Sequence, residues 1–209
     1  MKVVLINGSA RNNGTTNRAL SIISEELEAA GIETRTIKVG GKPVMGCTGC
    51  QSCRRGDLGR CIYGDGLVNE VIEAMEEADA MIVGTPVHYA AASGAITSVL
   101  GRVFYAGGSK FAGKAAASVV VCRRAGGTSA FDQLNKFFTI SQMPVASSQY
   151  WNVGFGNKGE ELDRDEEGVE TMKTLAANMI WMLRCIEAGK RAGVSHPRAG
   201  GNCRTNFIR

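Results

Sequence analysis

The chain has 209 residues, enough for one hydrophobic core and short for two. Apolar residues make up 44% and charged residues 21%, which excludes a disordered chain; a net charge of +4 with no Lys/Arg run or aromatic-basic stripe excludes a nucleic-acid surface. No apolar run approaches the roughly 20 residues of a membrane span, and Asn7-Gly8 cuts off Val3–Ile6 too early for a signal peptide, so the expected location is the cytoplasm.

Val3 to Asn7 is apolar without alternation, as in a strand covered on both faces. Gly8 to Asn17 is a Gly/Ser/Thr/Asn segment. Leu20, Ile23 and Leu27 then recur at helical spacing, and Gly31 supplies a stop. Ile32 to Val39 reads as a second strand. From Gly40 to Gly64 no periodicity survives, and a loop of that length inside a compact domain usually carries a site. Asp65 is the expected N-cap of a helix whose apolar face is Leu67, Val68, Val71, Ile72 and Met75. Ala80 to Gly84 is a third strand. Thr85-Pro86-Val87-His88-Tyr89 reads as a loop, because Pro86 blocks continuation.

Ser93 is placed to cap a helix carrying Ile96, Val99, Leu100, Val103 and Phe104. Ala115 to Cys122 is a fourth strand, followed by a Gly-containing loop from Arg123 to Thr128. Phe131, Leu134, Phe137 and Phe138 mark a helix. Val145 to Ser148 reads as a short last strand, Tyr150-Trp151-Asn152 as a core anchor, with a cap over a ligand site across a subunit boundary as the alternative, and Gly154 to Gly159 as a loop. A long amphipathic helix carries Met172, Leu175, Met179 and Leu183. Strands alternating with helices predict a doubly wound, five-stranded parallel sheet of order 2-1-3-4-5 in three α/β/α layers. It is expected to occupy residues 1–190, with a cysteine-rich loop at 43–64 and a polar tail at 191–209.

The segment after the first strand, Gly8-Ser9-Ala10-Arg11-Asn12-Asn13-Gly14-Thr15-Thr16-Asn17, sits where a strand hands over to a helix. Free amides and the helix dipole favour an anion there. Ser9, Thr15, Thr16 and Asn17 add polar donors, and Arg11 adds a charge-assisted bond. The dinucleotide pattern G-x-G-x-x-G is absent, and no Lys follows Gly14, so the P-loop pattern fails too. A hydroxyl-rich cradle of this kind suits a terminal phosphate monoester; the alternative is a polar turn with a good N-cap.

Gly8-Ser9-x-Arg11-x-x-Gly14-x-Thr16 resembles the phosphate loop of the NADPH-dependent FMN reductase family within the flavodoxin-like superfamily, and the resemblance covers nearly the whole chain. It implies FMN as cofactor, with Ser9, Arg11, Asn13, Gly14, Thr15, Thr16 and Asn17 around the phosphate. Pro86, Val87, His88 and Tyr89 resemble the family's flavin-lining segment, and Arg124, Ala125, Gly126 and Gly127 its glycine-rich approach to the ring. Thr97 and Gly101 replace a Lys and an Asp common in the family, and His88 stands where Tyr is common. His88 reads as a neutral imidazole against the ring, with a proton-donating role as the alternative; no other catalytic residue is identified.

Cys47-x-x-Cys50-x-x-Cys53, followed by Cys61, places four thiols within fifteen residues. Three sulfurs at that spacing can face one small cluster and the fourth can close the set. Zinc, a disulfide and free thiols stay open. Arg54, Arg55 and Arg60 would favour thiolates. The spacing is similar to the compact motif of iron–sulfur flavoproteins, which implies a [4Fe–4S] cluster beside FMN. Cys122 and Cys185 read as buried small hydrophobes; Cys203 has no assigned role. The resemblance implies an NAD(P)H-dependent oxidoreductase passing electrons to a small-molecule or protein acceptor, as a homodimer or homotetramer. The alternatives are a non-enzymatic electron carrier and a zinc-stabilised binding module with a vestigial cleft.

Overall fold

A computed structural model describes residues 1–63, 66–197 and 205. In chain order the elements are β1 (Lys2–Asn7), α1 (Thr15–Ala29), β2 (Glu33–Lys38), α2 (Leu67–Glu77), β3 (Ala80–His88), β4 (Ala91–Ala92), α3 (Gly94–Gly107), β5 (Ala115–Cys122), α4 (Gly127–Ile140), β6 (Val153–Phe155), α5 (Gly159–Leu162) and α6 (Glu166–Arg191). The parallel strands run in the order β2-β1-β3-β5-β6, the expected flavodoxin-like arrangement, and the two-residue β4 pairs antiparallel with β3.

The pleat divides the apolar residues of the central strands between two cores. Val4, Ile6, Met81 and Val83 pack with side chains of α2, α3 and α4. Val3, Leu5, Ile82 and Val119 pack with those of α1 and α6. A strand covered on both sides has no polar face to show, which is why the central runs do not alternate. Gly31 ends the first helix with φ +76°, and the Ser93 hydroxyl caps α3 by accepting from Ile96 N at 3.4 Å.

Several expectations are corrected. Pro86 does not end the third strand: β3 runs to His88, and Pro86 is in register with Val121. The β1 ladder stops at Gly84, so β1 asks for no hydrogen bond from Pro86 and a missing N–H costs little there. Val145 makes only an isolated bridge to Ala116; the last strand is Val153–Phe155, inside the stretch read as a loop. Its Gly154 leaves room for Leu162, whose Cδ1 would lie 2.8 Å from an added Cβ. Tyr150 and Trp151 are exposed, their rings 4.8 Å apart, while Asn152 is buried and donates to Ser118 O. Cys122 is buried as expected, but Cys185 is exposed. The expected cap Asp65 and Cys203 lie outside the described residues, where α2 is preceded by Gly66.

Lys114 closes the C-terminus of α2. Its Nζ donates to the carbonyls of Met75, Glu76 and Ala78, groups left without helical partners. Burial draws the ammonium below its usual range. Lys114→Met should therefore lower unfolding stability by about 1–3 kcal/mol, the range for losing bonds to a charged group. Urea denaturation followed by circular dichroism checks this; an unchanged midpoint would show the cap to be idle.

Candidate active site

The cleft begins where the sheet ladder ends. Gly8 N donates to Gly84 O at 2.8 Å, the last link between β1 and β3 before the chain turns into the loop. Asn7 is buried and organises that turn: its Oδ1 accepts from Ser9 N at 2.9 Å and its Nδ2 donates to Asn17 Oδ1 at 3.1 Å. Ser9 Oγ accepts from Arg11 N at 3.2 Å. Gly14 precedes α1 and offers no side-chain cap, so the first-turn amides of Thr15 and Thr16 keep their capacity for an anion.

The resulting cleft, about 220 Å³, is walled by Ser9, Arg11, Gly14, Thr15 and Thr16 on one side and by Pro86, Val87 and His88 on the other. Arg123 and Asn157 complete it, and Arg11 Nη1 reaches across to donate to Asn157 O at 2.7 Å. Two guanidiniums, several hydroxyls and a helix N-terminus meet here, and no carboxylate side chain is among the described lining residues. That balance attracts a phosphate-sized anion.

Eight of the expected residues thus share one cleft. Asn17 instead braces Asn7, and the backbone of Asn13 abuts Gly159, where an added Cβ would lie 2.8 Å from Asn13 O. Tyr89 projects fully into solvent. Arg124, Ala125, Gly126 and Gly127 line a neighbouring cavity of about 300 Å³, joined to the first through the shared wall residue Cys122. Tyr150 and Trp151 stand at its rim. Gly126 has φ +86°, and an added Cβ there would come within 2.7 Å of Ala90 Cα, so only glycine lets this loop lie against the β3–β4 turn. Tyr89 and Ala90 have φ of +51° and +59°, a two-residue hairpin turn built without the usual Asn or Gly. Strain of this kind persists where the surroundings impose it, and here it holds Tyr89 outward at the lip. Sequence reasoning missed Ala10, Val121, Cys122, Arg123, Gly156 and Asn157. Arg123 carried a signal, since it directly follows the fourth strand; Asn157 enters only through the packing of the β6–α5 connection.

The four cysteines of the motif line a second pocket, with Arg102 and Tyr105 of α3 as its floor. Cys47 and Cys50 are exposed, and Cys53 and Cys61 half-buried. Hydrogen bonds from Ser52 draw the Cys50 thiol below its usual range, and burial pushes the Cys53 thiol up. Among the described residues no three His, Cys, Asp or Glu side chains converge to hold a metal ion. Cys61 is the most constrained of the four: Asn69 grips its backbone through two hydrogen bonds of 2.8 and 2.9 Å. Arg54 stacks over the Tyr105 ring at 4.1 Å and so ties the 3₁₀ turn Ser52–Asp57 to α3.

The model of the NADPH-dependent FMN reductase family matches residues 1–158. The chain belongs to that family. It is 30% identical over 201 residues to an iron–sulfur flavoprotein of Methanocaldococcus jannaschii, covering 90% of this chain and 100% of that one. It is 27% identical to an iron–sulfur flavoprotein of Methanosarcina thermophila, covering 91% and 99%. Among solved structures, that of RosB with a bound 8-demethyl-8-formylriboflavin-5'-phosphate intermediate superposes with a TM-score of 0.68 at 16% identity, over 100% of this chain and 92% of that one. At that identity the likeness speaks for the fold. Family membership makes the chain an FMN-binding oxidoreductase. No helix among its described residues is long and apolar enough to cross a membrane.

In this member of the family, the cysteine loop is moored by an acidic hub. Glu76 accepts from Arg60 Nη2 and Lys110 Nζ, each at 2.6 Å, and Arg60 immediately precedes Cys61. The two cations hold the Glu76 carboxyl down from an ordinary 4.5 to about 2. A carboxyl lowered in the folded state contributes stability above its unfolded value and loses it as pH falls through the folded one. The hub should therefore be intact above about pH 5 and dissolve between about pH 4.5 and 2. Glu76→Gln should lower the urea midpoint at pH 7, and the gap to wild type should close as pH falls through that window. A gap independent of pH would assign its effect to packing instead.

Proposed function

We propose that the cleft beside the Gly8–Asn17 loop binds the FMN phosphate, that the isoalloxazine lies along Pro86–Tyr89, and that NAD(P)H is the electron donor. The observation that carries this is the cleft's donor set: Arg11, Arg123, Ser9, Thr15 and Thr16 around the open N-terminus of α1, with no carboxylate among the described lining residues. The adjoining wall suits a flat amphipathic ring. Pro86 and Val87 offer apolar surface, and the Arg124–Gly127 loop meets the cleft edge without side-chain bulk at Gly126. FMN, when bound, supplies hydride acceptance and single-electron release. This chain's residues would grip the phosphate, fix the ring's edge through backbone groups and leave one ring face open to a nicotinamide. His88, exposed on the cleft wall, would pack against the ring.

We further assign Cys47, Cys50, Cys53 and Cys61 to a [4Fe–4S] cluster. The residues fit the group in donor chemistry: four thiols surround one pocket, with the Arg102 guanidinium to offset negative charge. A cluster would bind each thiolate through a different iron and so would take sulfurs spread around it, whereas zinc needs its donors gathered on one point. The acceptor would be a small molecule or a redox protein. A homodimer or homotetramer in the cytoplasm is the assembly we expect, with the exposed Tyr89, Tyr150, Trp151 and Phe155 offering apolar surface for it.

Arg11→Ala should weaken FMN binding roughly ten-fold or more, as a charge-assisted bond is worth about 1.5–3 kcal/mol, and leave riboflavin binding unchanged. Titration followed by flavin fluorescence reads both; equal losses for the two flavins would place the phosphate elsewhere. Mixing the anaerobic holoprotein with NADPH or NADH in a stopped-flow instrument should bleach the flavin absorbance. No bleaching by either nucleotide would leave an electron carrier in place of a nicotinamide-dependent enzyme.

A further inference from the structure

Arg102 is an arginine that the fold has taken out of water: on the inner side of α3, only 2% of its surface is exposed. Its guanidinium spans the cysteine loop from below. Nε and Nη2 each lie 3.4 Å from Cys61 Sγ, Nη1 donates to Met45 O at 3.3 Å, and Nη2 donates to Tyr63 O at 3.0 Å. Met45 lies just before the first cysteine of the motif and Tyr63 just after the last. One planar, permanently charged group therefore clamps both ends of the loop and touches one of its four sulfurs. Cys47 and Cys50, by contrast, are exposed.

We propose that Arg102 is a positioning residue that presents Cys61 as the preformed ligand of the metal group and raises that group's reduction potential. This rests on the assignment of a [4Fe–4S] cluster to the four cysteines. Two consequences follow from elementary electrostatics. A guanidinium donating to a ligand sulfur withdraws charge from it, and a cation beside the cluster favours the state that carries the extra electron. Burial strengthens both effects, since little water is present to screen them. The Asn69 contacts supply the control: they hold the same cysteine by its backbone without placing charge on its sulfur.

The test uses the full chain reconstituted anaerobically with iron, sulfide and FMN. Iron and sulfide per chain are measured, and the cluster's midpoint potential is titrated by electron paramagnetic resonance. Arg102→Gln should shift the potential to more negative values, Arg102→Lys should shift it less, and Asn69→Ala should reduce loading while leaving the potential of the loaded fraction in place. Loss of loading in Arg102→Gln, with FMN still bound and loading retained in Arg102→Lys, would also support the proposal. If Arg102→Gln does not fold, Arg102→Lys alone decides: a displaced potential supports the role. In that case a wild-type potential in Arg102→Lys overturns it, and a loaded Arg102→Gln variant with the wild-type potential overturns it outright. Wild-type protein that takes up no iron and sulfide overturns the cluster assignment and the role of Arg102 together, a result distinct from a loaded wild type matched by its variant.

Discussion

The hydrogen bond from Gly8 N to Gly84 O is the constraint on which the rest of the cleft depends. Up to that point β1 and β3 are locked side by side; beyond it, they separate to opposite faces of the sheet. β1 feeds α1, which packs with α6, while β3 leads to α3 on the other face, with α2 and α4. A crevice must open where two adjacent parallel strands diverge in this way. Its chemistry follows from what lies nearest: the amide-rich start of α1 on one side and the prolonged end of β3 on the other. The wall beyond Gly84 exists because β3 continues past the end of the β1 ladder, paired with β5 as far as Pro86 and with β4 at Val87 and His88.

Much of the fold was legible because it is written in local punctuation. Two-sided burial left unbroken apolar runs, Gly31 and Ser93 marked helix ends, and the Gly8–Asn17 stretch marked a strand-to-helix turn. The failures share a cause, which is that the deciding neighbour is distant in sequence. Pro86 reads as a breaker until the vacated flank of β3 is known. Gly154 and Gly156 conceal a strand because glycine is a loop signal in isolation, whereas at Gly154 it is a concession to Leu162 packed against it. The Tyr150-Trp151 pair reads as core by hydrophobicity alone, and its exposure at a cavity rim is set by where the chain leaves Asn152 tied to Ser118.

The candidate site divides along the same line. Residues of the phosphate loop are contiguous and positioned by one turn, so their type and place could be read together. The cysteine motif was equally visible, yet its setting was not. Arg102 lies 41 residues from Cys61, and no local pattern ties the two. Glu76 of α2 reaches the loop through Arg60, and Lys110, beyond the end of α3, reaches it through Glu76. Spacing identifies ligands; the charges that tune and moor them come from the tertiary fold.

The two sites are not independent features on one scaffold. Gly40, at the root of the cysteine loop, lies so close to the phosphate loop that an added Cβ would fall 2.3 Å from the carbonyl carbon and oxygen of Ser9. Its amide and that of Val39 both donate to Asn7 O, and Asn7 is the residue that shapes the phosphate loop. Backbone contact of that kind leaves no room for the loops to shift separately. A displacement of the cysteine segment at its origin has to press on Ser9, and one of Ser9 has to press back. The close approach requires glycine because only hydrogen fits, so a single residue without a side chain couples the place where a phosphate would be held to the place where four sulfurs gather.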